Sequence, residues 1–121
     1  MSKRVLVIED QEDNRRIVRD LLSTAGYEIL EAVTGEDGVV AAEANRPDLI
    51  LMDIDLPGLN GYEATRRIKA IPALQGIPII AVTSYALSGD DQKAFAAGCD
   101  AYVTKPFSPR ALLAKIREYL P

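Results

Sequence analysis

Short unbroken apolar runs alternate with longer stretches whose apolar positions recur every three or four residues, and the alternation repeats five times along the chain. Val5-Leu6-Val7-Ile8 is the first run, and it stops at Glu9-Asp10. From Asn14 to Ala25, Val18, Leu21, Leu22 and Ala25 fall at helical spacing, Arg15, Arg16, Arg19 and Asp20 lie opposite, and Gly26 is the stop signal. Ile29 and Leu30 predict a short second strand. Gly35 to Ala44 predicts a second helix with Val39, Val40 and Ala42, although Gly38 inside it costs about 1 kcal/mol relative to alanine. Leu49-Ile50-Leu51-Met52 predicts a third strand ended by Asp53, with the turn signal Pro57-Gly58 close behind.

The second half continues the pattern. Gly61 to Ala70 predicts a helix with Ala64, Ile68 and Ile71 on one side and Glu63, Arg66, Arg67 and Lys69 on the other. Pro78 introduces Ile79-Ile80-Ala81-Val82, which stops at Thr83-Ser84. Ser88 with Asp91 resembles a capping box for a helix carrying Ala94, Phe95 and Ala97 and closed by Gly98. Ala101-Tyr102-Val103-Thr104 predicts the fifth strand, ended by Lys105-Pro106. Ser108 caps a last helix whose first residue is Pro109 and whose core face is Leu112, Leu113, Ile116 and Leu120.

Five strand-helix units predict an α/β fold with one five-stranded parallel sheet, doubly wound, because parallel neighbours need crossovers and crossovers are right-handed. Ligands of such sheets bind at the carboxyl ends of the strands, where strand order reverses. Those ends carry Glu9 and Asp10, then Asp53, Thr83 and Lys105. A chain of 121 residues, 48% hydrophobic and 26% charged, is one ordinary domain. Its net charge of -4 argues against nucleic acid as a main ligand, since a phosphate backbone calls for a basic face. Cys99 is alone, which excludes an internal disulfide, and the absence of histidine excludes histidine acid-base or metal chemistry. With no signal-like segment and no apolar run of membrane length, the expected location is the cytoplasm, with no membrane partner.

Three carboxylates gathered at one rim repel one another, which raises pKa values or demands a cation. Hard oxygen ligands suit Mg²⁺. A divalent metal beside Asp53 and a lysine opposite would bracket a phosphoryl group while the Asp53 carboxylate attacks in line, giving an acyl phosphate. Thr83 could then donate a hydrogen bond to a phosphoryl oxygen. Each member also has a plainer reading: Asp53 as a turn residue, Glu9-Asp10 as caps of the first helix, Thr83 as a strand end, Lys105 as a solvated charge, Tyr102 as a core or half-exposed aromatic. Their joint placement at one rim favours the chemical reading.

Over nearly its whole length the sequence resembles the receiver domains of two-component response regulators, and within them the small single-domain regulators of the DivK type. The matching residues are Val7-Ile8-Glu9-Asp10, Leu51-Met52-Asp53-Ile54-Asp55-Leu56-Pro57-Gly58 with Asn60-Gly61, Ala81-Val82-Thr83-Ser84, and Tyr102-Val103-Thr104-Lys105-Pro106-Phe107. The resemblance implies a flavodoxin-like strand order 2-1-3-4-5. It implies Asp53 as phosphoacceptor, supplied by a histidine kinase or a histidine phosphotransfer protein. Mg²⁺ would be bound directly by Asp10 and Asp53, by Glu9 through water and by Asp55 through its backbone carbonyl. Lys105 would contact the phosphoryl group across a cis bond to Pro106, and Thr83 with Tyr102 would form the switch that re-aims the face of helix four, strand five and helix five. Glu9 stands where many members carry aspartate, Ser84 where alanine is common, and the Asp55 side chain bears on phosphate lifetime. Ile17 and Phe107 are candidate contacts for the phosphodonor.

With the chain ending at Pro121, the expectation is a receiver domain over 1–121 without an output domain. It would not be an enzyme acting on a separate substrate, and it would signal to a downstream protein target. Two rivals share parts of the pattern. A haloacid-dehalogenase-like phosphatase would use Asp53-Ile54-Asp55 as its nucleophile motif, but that family places it after the first strand with an acidic pair later. A flavodoxin-like flavin binder needs a hydroxyl- and glycine-rich loop where this chain has Glu9-Asp10-Gln11-Glu12-Asp13.

Overall fold

A computed structural model of the chain describes residues 2–84, 90–105 and 108–121, apart from the side chains of 90 and 91. Five strands, β1 (Arg4–Ile8), β2 (Glu28–Ala32), β3 (Leu49–Asp53), β4 (Ile79–Thr83) and β5 (Ala101–Thr104), alternate with five helices. These are α1 (Glu12–Thr24), α2 (Gly35–Asn45), α3 (Gly61–Lys69), α4 (Asp90–Ala97) and α5 (Pro109–Tyr119), with a 3-10 turn at Pro72–Leu74 before β4. All neighbouring strands are parallel and the order is β2-β1-β3-β4-β5, so the chain reverses direction across the sheet between β1 and β3.

The continuous apolar runs are explained by burial on both faces. Along β1, Leu6 and Ile8 face one layer and Val5 and Val7 the other. The first layer joins Ile50, Met52 and Ala81 to Ala42 of α2, Ala64 and Ile68 of α3 and Ala94 of α4. The second joins Leu49, Leu51 and Ile80 to Val18 and Leu22 of α1 and to Leu112 and Ile116 of α5. The expected doubly wound sheet follows, with α1 and α5 on one side and α2, α3 and α4 on the other.

Helix ends follow local chemistry. Thr34, Asn60 and Ser108 cap α2, α3 and α5, each side-chain oxygen accepting a backbone N–H three residues on. Helix α1 begins at Glu12 rather than Asn14, since Glu12 and Asp13 favour the positive end of the helix. Its N-cap is Gln11, without a side-chain cap bond, so Glu9-Asp10 do not serve as caps. Strand β2 is longer than Ile29-Leu30 because pairing with β1 runs from Arg4↔Glu28 to Ile8↔Ala32. The capping box proposed at Ser88 and the cis bond expected at Pro106 lie outside the described residues.

The apolar face expected of α2 needs correction: Val40 is 66% exposed, while Gly35, Gly38 and Ala42 are buried. The glycines turn inward at the two places where α2 comes closest to its neighbours, Gly38 against β1 and Gly35 against the loop after β3. A β-carbon on Gly38 would run into Ile8, and one on Gly35 into Leu59. Phe95, on α4, is likewise 49% exposed, with Ala94 and Ala97 supplying that helix's buried contacts.

The close approach of α3 fixes the end of β3. Gly61 N–H donates to Ile54 O at 3.3 Å, and a β-carbon on Gly61 would collide with the Asp53 carbonyl oxygen and the Ile54 Cα. Both obstacles are backbone, so they cannot swing aside as a side chain can. Gly61→Ala is therefore expected to lower stability by about 1–3 kcal/mol, the usual range for overpacking, and to perturb the Asp53 amide. Denaturant unfolding with amide NMR spectra checks both.

Candidate active site at the strand reversal

Register does the assembling. Ile8 pairs with Met52 across the reversal, so Glu9 and Asp10 emerge beside Asp53, and Asp53 pairs with Val82 so that Thr83 follows on the next strand. Thr83 pairs with Thr104, which brings Lys105 to the same rim, and the Lys105 N–H donates to the Thr83 carbonyl at 2.6 Å. Four chain segments thus meet in one place, as expected from the ends of the strands.

Carboxylate oxygens of Glu9, Asp10 and Asp53 all lie within 4.8 Å of one another. Lys105 Nζ stands 2.8 Å from Glu9 Oε1 and 3.4 Å from Asp53 Oδ1. Asp53 and Glu9 are buried, at 3% and 5% exposure, whereas Asp10 is half-buried and opens the cluster to solvent. Thr83 is buried at the end of β4, and Tyr102 on β5 is half-buried against the layer that holds α3 and α4. Asp55 stands outside the carboxylate cluster. Its N–H donates to Asp53 Oδ1 at 2.9 Å, and its Oδ2 accepts the Ser84 N–H at 2.9 Å, tying the loop after β3 to the end of β4.

Several supporting contacts were not anticipated from the sequence. Glu9 Oε2 accepts the Gln11 N–H at 3.1 Å, which fixes the carboxylate from behind. Arg15 donates to the Glu9 carbonyl at 2.9 Å and pairs with Glu31 on β2 at 3.3 Å, and it also bonds Glu12. Arg15 looked like one charge of a solvated face; only the pairing of β1 with β2 reveals that Glu31 draws it over the site.

Burial, first of all, pushes the Asp53 carboxyl up from 3.8 to about 7, helped by the neighbouring Glu9; the Asp55 N–H and Lys105 oppose this only in part. Burial raises Glu9 as well, but hydrogen bonds from Asp53 and Lys105 outweigh it and hold Glu9 below its ordinary 4.5. Of the two carboxyls, Asp53, the group more deeply buried and farther from the ammonium, is therefore the one that takes up a proton as pH falls below about 7. Lys105 is lowered by burial yet raised overall, because Glu9 and Asp53 favour its charged form. The donor set suits a hard divalent cation: three carboxylates, no nitrogen or sulfur ligand among the described residues of the cluster, and one open side.

The family of response regulator receiver domains matches residues 5–117. The chain belongs to that family. It is 42% identical over 120 residues to the polar-differentiation response regulator DivK of Brucella anthropi, covering 99% of this chain and 98% of the relative. It is also similar to the receiver domain of a sensor histidine kinase from Pseudomonas aeruginosa, solved with magnesium ion coordinated in the active site cleft, at 36% identity and a TM-score of 0.92 over 99% of this chain and 98% of the other. Vibrio cholerae chemotaxis protein CheY4 superposes with a TM-score of 0.93 at 27% identity, over 98% of this chain and 99% of the other. The protein is thus a signalling receiver domain of DivK/CheY-like fold, and its pocket of Glu9, Asp10 and Asp53 fits a phosphoacceptor aspartate with a Mg²⁺ site.

The raised Asp53 has a thermodynamic consequence. A carboxyl whose folded value lies above its unfolded one stabilises the fold fully below the unfolded value, and that stability is lost as pH rises through the folded one. Metal-free protein is therefore expected to lose on the order of 1–3 kcal/mol between about pH 4 and pH 7 from this group. Glu9, held low, acts in the opposite sense only at still lower pH. The decline should flatten in Asp53→Asn and on saturation with Mg²⁺; urea unfolding at several pH values, with chelator or with metal, checks it.

Proposed function

We propose that this receiver accepts a phosphoryl group on Asp53 in a Mg²⁺-dependent reaction, from a phosphohistidine on a histidine kinase or phosphotransfer protein, and signals through contacts with a downstream protein. The observation that carries the reading is the meeting of three carboxylates within 4.8 Å with a lysine 3.4 Å from one of them. An acidic cluster with a lysine beside it is suited to hold a divalent metal and a phosphoryl group together.

In the reaction an Asp53 oxygen attacks phosphorus in line, the nitrogen-phosphorus bond of the donor breaks, and the histidine departs with that electron pair. When bound, the metal neutralises carboxylate and phosphoryl charge. Asp10 and Asp53 are its proposed direct ligands, with Glu9 acting through water and Asp55 through its backbone carbonyl. Lys105 would move its ammonium onto the phosphoryl oxygens, and the Thr83 hydroxyl would donate to another of them. Thr83 shares a register pair with Thr104, two residues after Tyr102, so a shift at the end of β4 bears directly on the strand that carries the ring. Shifting such a switch from 1:99 to 99:1 takes about 5.5 kcal/mol of differential stabilisation.

On this reading the protein works as a switch rather than by turning over a separate substrate, and its place is the cytoplasm. No helix among the described residues is long and apolar enough to cross a membrane. Ile17, 50% exposed, borders an open groove of about 480 Å³ between α1 and α5, shared with Leu21, Ala25, Pro109 and Leu113. The groove is largely apolar, with Asp20, Thr24 and Arg117 also lining it, and such a groove suits a helix of the phosphodonor. Phe107, the other candidate contact, lies outside the described residues.

Incubation with Mg²⁺ and acetyl phosphate should add one phosphoryl group to the native protein, none to Asp53→Asn, and none when the metal is chelated; intact-mass spectrometry reads all three. Full labelling of Asp53→Asn would overturn the assignment. Ile17→Glu is expected to slow transfer from a phosphorylated histidine donor by about tenfold, as the loss of about 1.4 kcal/mol of docking energy would. Labelling by acetyl phosphate should be unchanged in that variant, and rapid-quench assays with the two donors separate the effects.

A further inference from the structure

Both backbone polar groups of Glu9 are tied toward the edge strand. Its N–H donates to the Ala32 carbonyl of β2 at 3.0 Å, and its carbonyl accepts a hydrogen bond from Arg15 Nη1 at 2.9 Å. Arg15 Nε lies 3.3 Å from Glu31 Oε1, and Glu31 directly precedes Ala32 in β2, so the two ties close a ring around Glu9. Glu31 is itself gripped by Arg19, whose Nε and Nη2 bond its two carboxylate oxygens at 2.9 and 2.8 Å. Arg15 also pairs with Glu12, about one turn back on α1. Only 11% of the Arg15 side chain is exposed, against 57% for Arg16, which pairs with Asp13 at the surface.

Asp10 is the member of the acidic cluster whose side chain has the weakest hold. Glu9 and Asp53 are buried, and their carboxylates are bonded to Gln11, Lys105 and Asp55. Asp10 is half-buried, and its carboxylate accepts from Gln11 Nε2 at 3.3 Å in an exposed contact where water competes. Its direction into the cluster is therefore set by the peptide that carries it, and the oxygen of that peptide is the one Arg15 holds. Resting on the Mg²⁺ and phosphoacceptor reading above, we propose that Arg15 is a positioning residue of the metal site. By holding the Glu9 carbonyl it fixes the Glu9–Asp10 peptide so that the Asp10 carboxylate stays within reach of a divalent cation. Glu31 and, behind it, Arg19 brace the guanidinium from a strand that lies outside the carboxylate cluster.

Charge alone predicts the opposite effect. A guanidinium beside the cluster repels an incoming cation, so its removal should tighten Mg²⁺ binding. Positioning predicts weaker binding, because a freed Asp10 turns to solvent and ordering it again costs conformational entropy. The fork of the guanidinium matters as well as its charge. Lysine carries the same charge on one compact ammonium and cannot serve a carbonyl and a carboxylate with separate, rigidly spaced nitrogens.

The test compares native protein with Arg15→Ala, Arg15→Lys and Arg16→Ala, using calorimetry of Mg²⁺ binding and the Asp10 amide signal in NMR. In Arg15→Ala, Mg²⁺ affinity should fall about tenfold, the usual scale when a partner behind a metal ligand is removed. The Asp10 amide of that variant should shift or broaden in metal-free protein. Arg15→Lys should lose about threefold although the charge is kept. Arg16→Ala removes the same charge one residue on without touching Glu9, and it should bind Mg²⁺ as the native protein does or slightly tighter. In acetyl phosphate labelling, the Mg²⁺ concentration for half-maximal rate should rise by the same factors in the Arg15 variants, while the rate at saturating Mg²⁺ falls by less than about twofold. Urea unfolding separates this from a loss of stability, which leaves the affinity of the folded molecules unchanged. Native or tighter Mg²⁺ affinity in Arg15→Ala would overturn the proposal, as would an equal loss in Arg16→Ala. Should Arg15→Ala fail to fold, Arg15→Lys decides: weaker binding supports positioning, and native affinity refutes it. Absence of label on Asp53 of the native protein would overturn the phosphoacceptor reading and leave the calorimetric comparison intact.

Discussion

Mutual repulsion among carboxylates that the sheet forces together is the constraint on which the site depends. The Ile8↔Met52 register leaves no freedom in the matter: once β1 and β3 lie side by side, Glu9 and Asp10 are next to Asp53. Taking charged groups out of water without a partner is too costly to persist. The fold meets the cost with the Lys105 ammonium and with an Asp53 carboxyl pushed up to about 7, so that it is readily protonated. Such a pocket is stable in its resting form and electrostatically incomplete, which is the condition for a site that responds to metal and phosphate.

The apolar layers make that tension sustainable. Val5 and Val7 on one side and Leu6 and Ile8 on the other anchor β1 through two separate layers, so unfavourable charge at the strand's end cannot easily be relieved by moving the strand. Arg15 adds a tie on the solvent side, joining the Glu9 carbonyl to Glu31 of the edge strand. Asp55 adds another between the ends of β3 and β4. Each tie crosses between neighbouring strands at the rim, where the sheet's own hydrogen bonds run out.

Strand positions were legible in the sequence because each run ends abruptly in a polar residue, and a parallel sheet sends all such ends to one rim; the order of the strands was implied only by the family resemblance. Glu9, Asp10, Asp53, Thr83 and Lys105 could thus be gathered from spacing alone, before any relative was considered. Burial on α2 was not legible: Val39-Val40 reads as a core pair, yet Val40 is exposed and Val39 only partly buried, while Gly38 lies against Ile8 of the sheet and Gly35 against Leu59. Hydropathy scales reward side chains, and here it is their absence that allows close packing. Nor could the sequence reveal that Lys105 favours Glu9 over Asp53, since that depends on tenths of an ångström set by the Gln11 amide behind the carboxylate. The direct bond from Arg15 to the Glu9 carbonyl depends in the same way on tertiary placement.

The fit of Gly61 against the Asp53 carbonyl gives the site a closely packed floor. With no atom of clearance between the start of α3 and the backbone of Asp53 and Ile54, that helix cannot move further in on the end of β3. The spacing of helix and strand directly beneath the Asp53 carboxyl is therefore set by a methyl group that is missing.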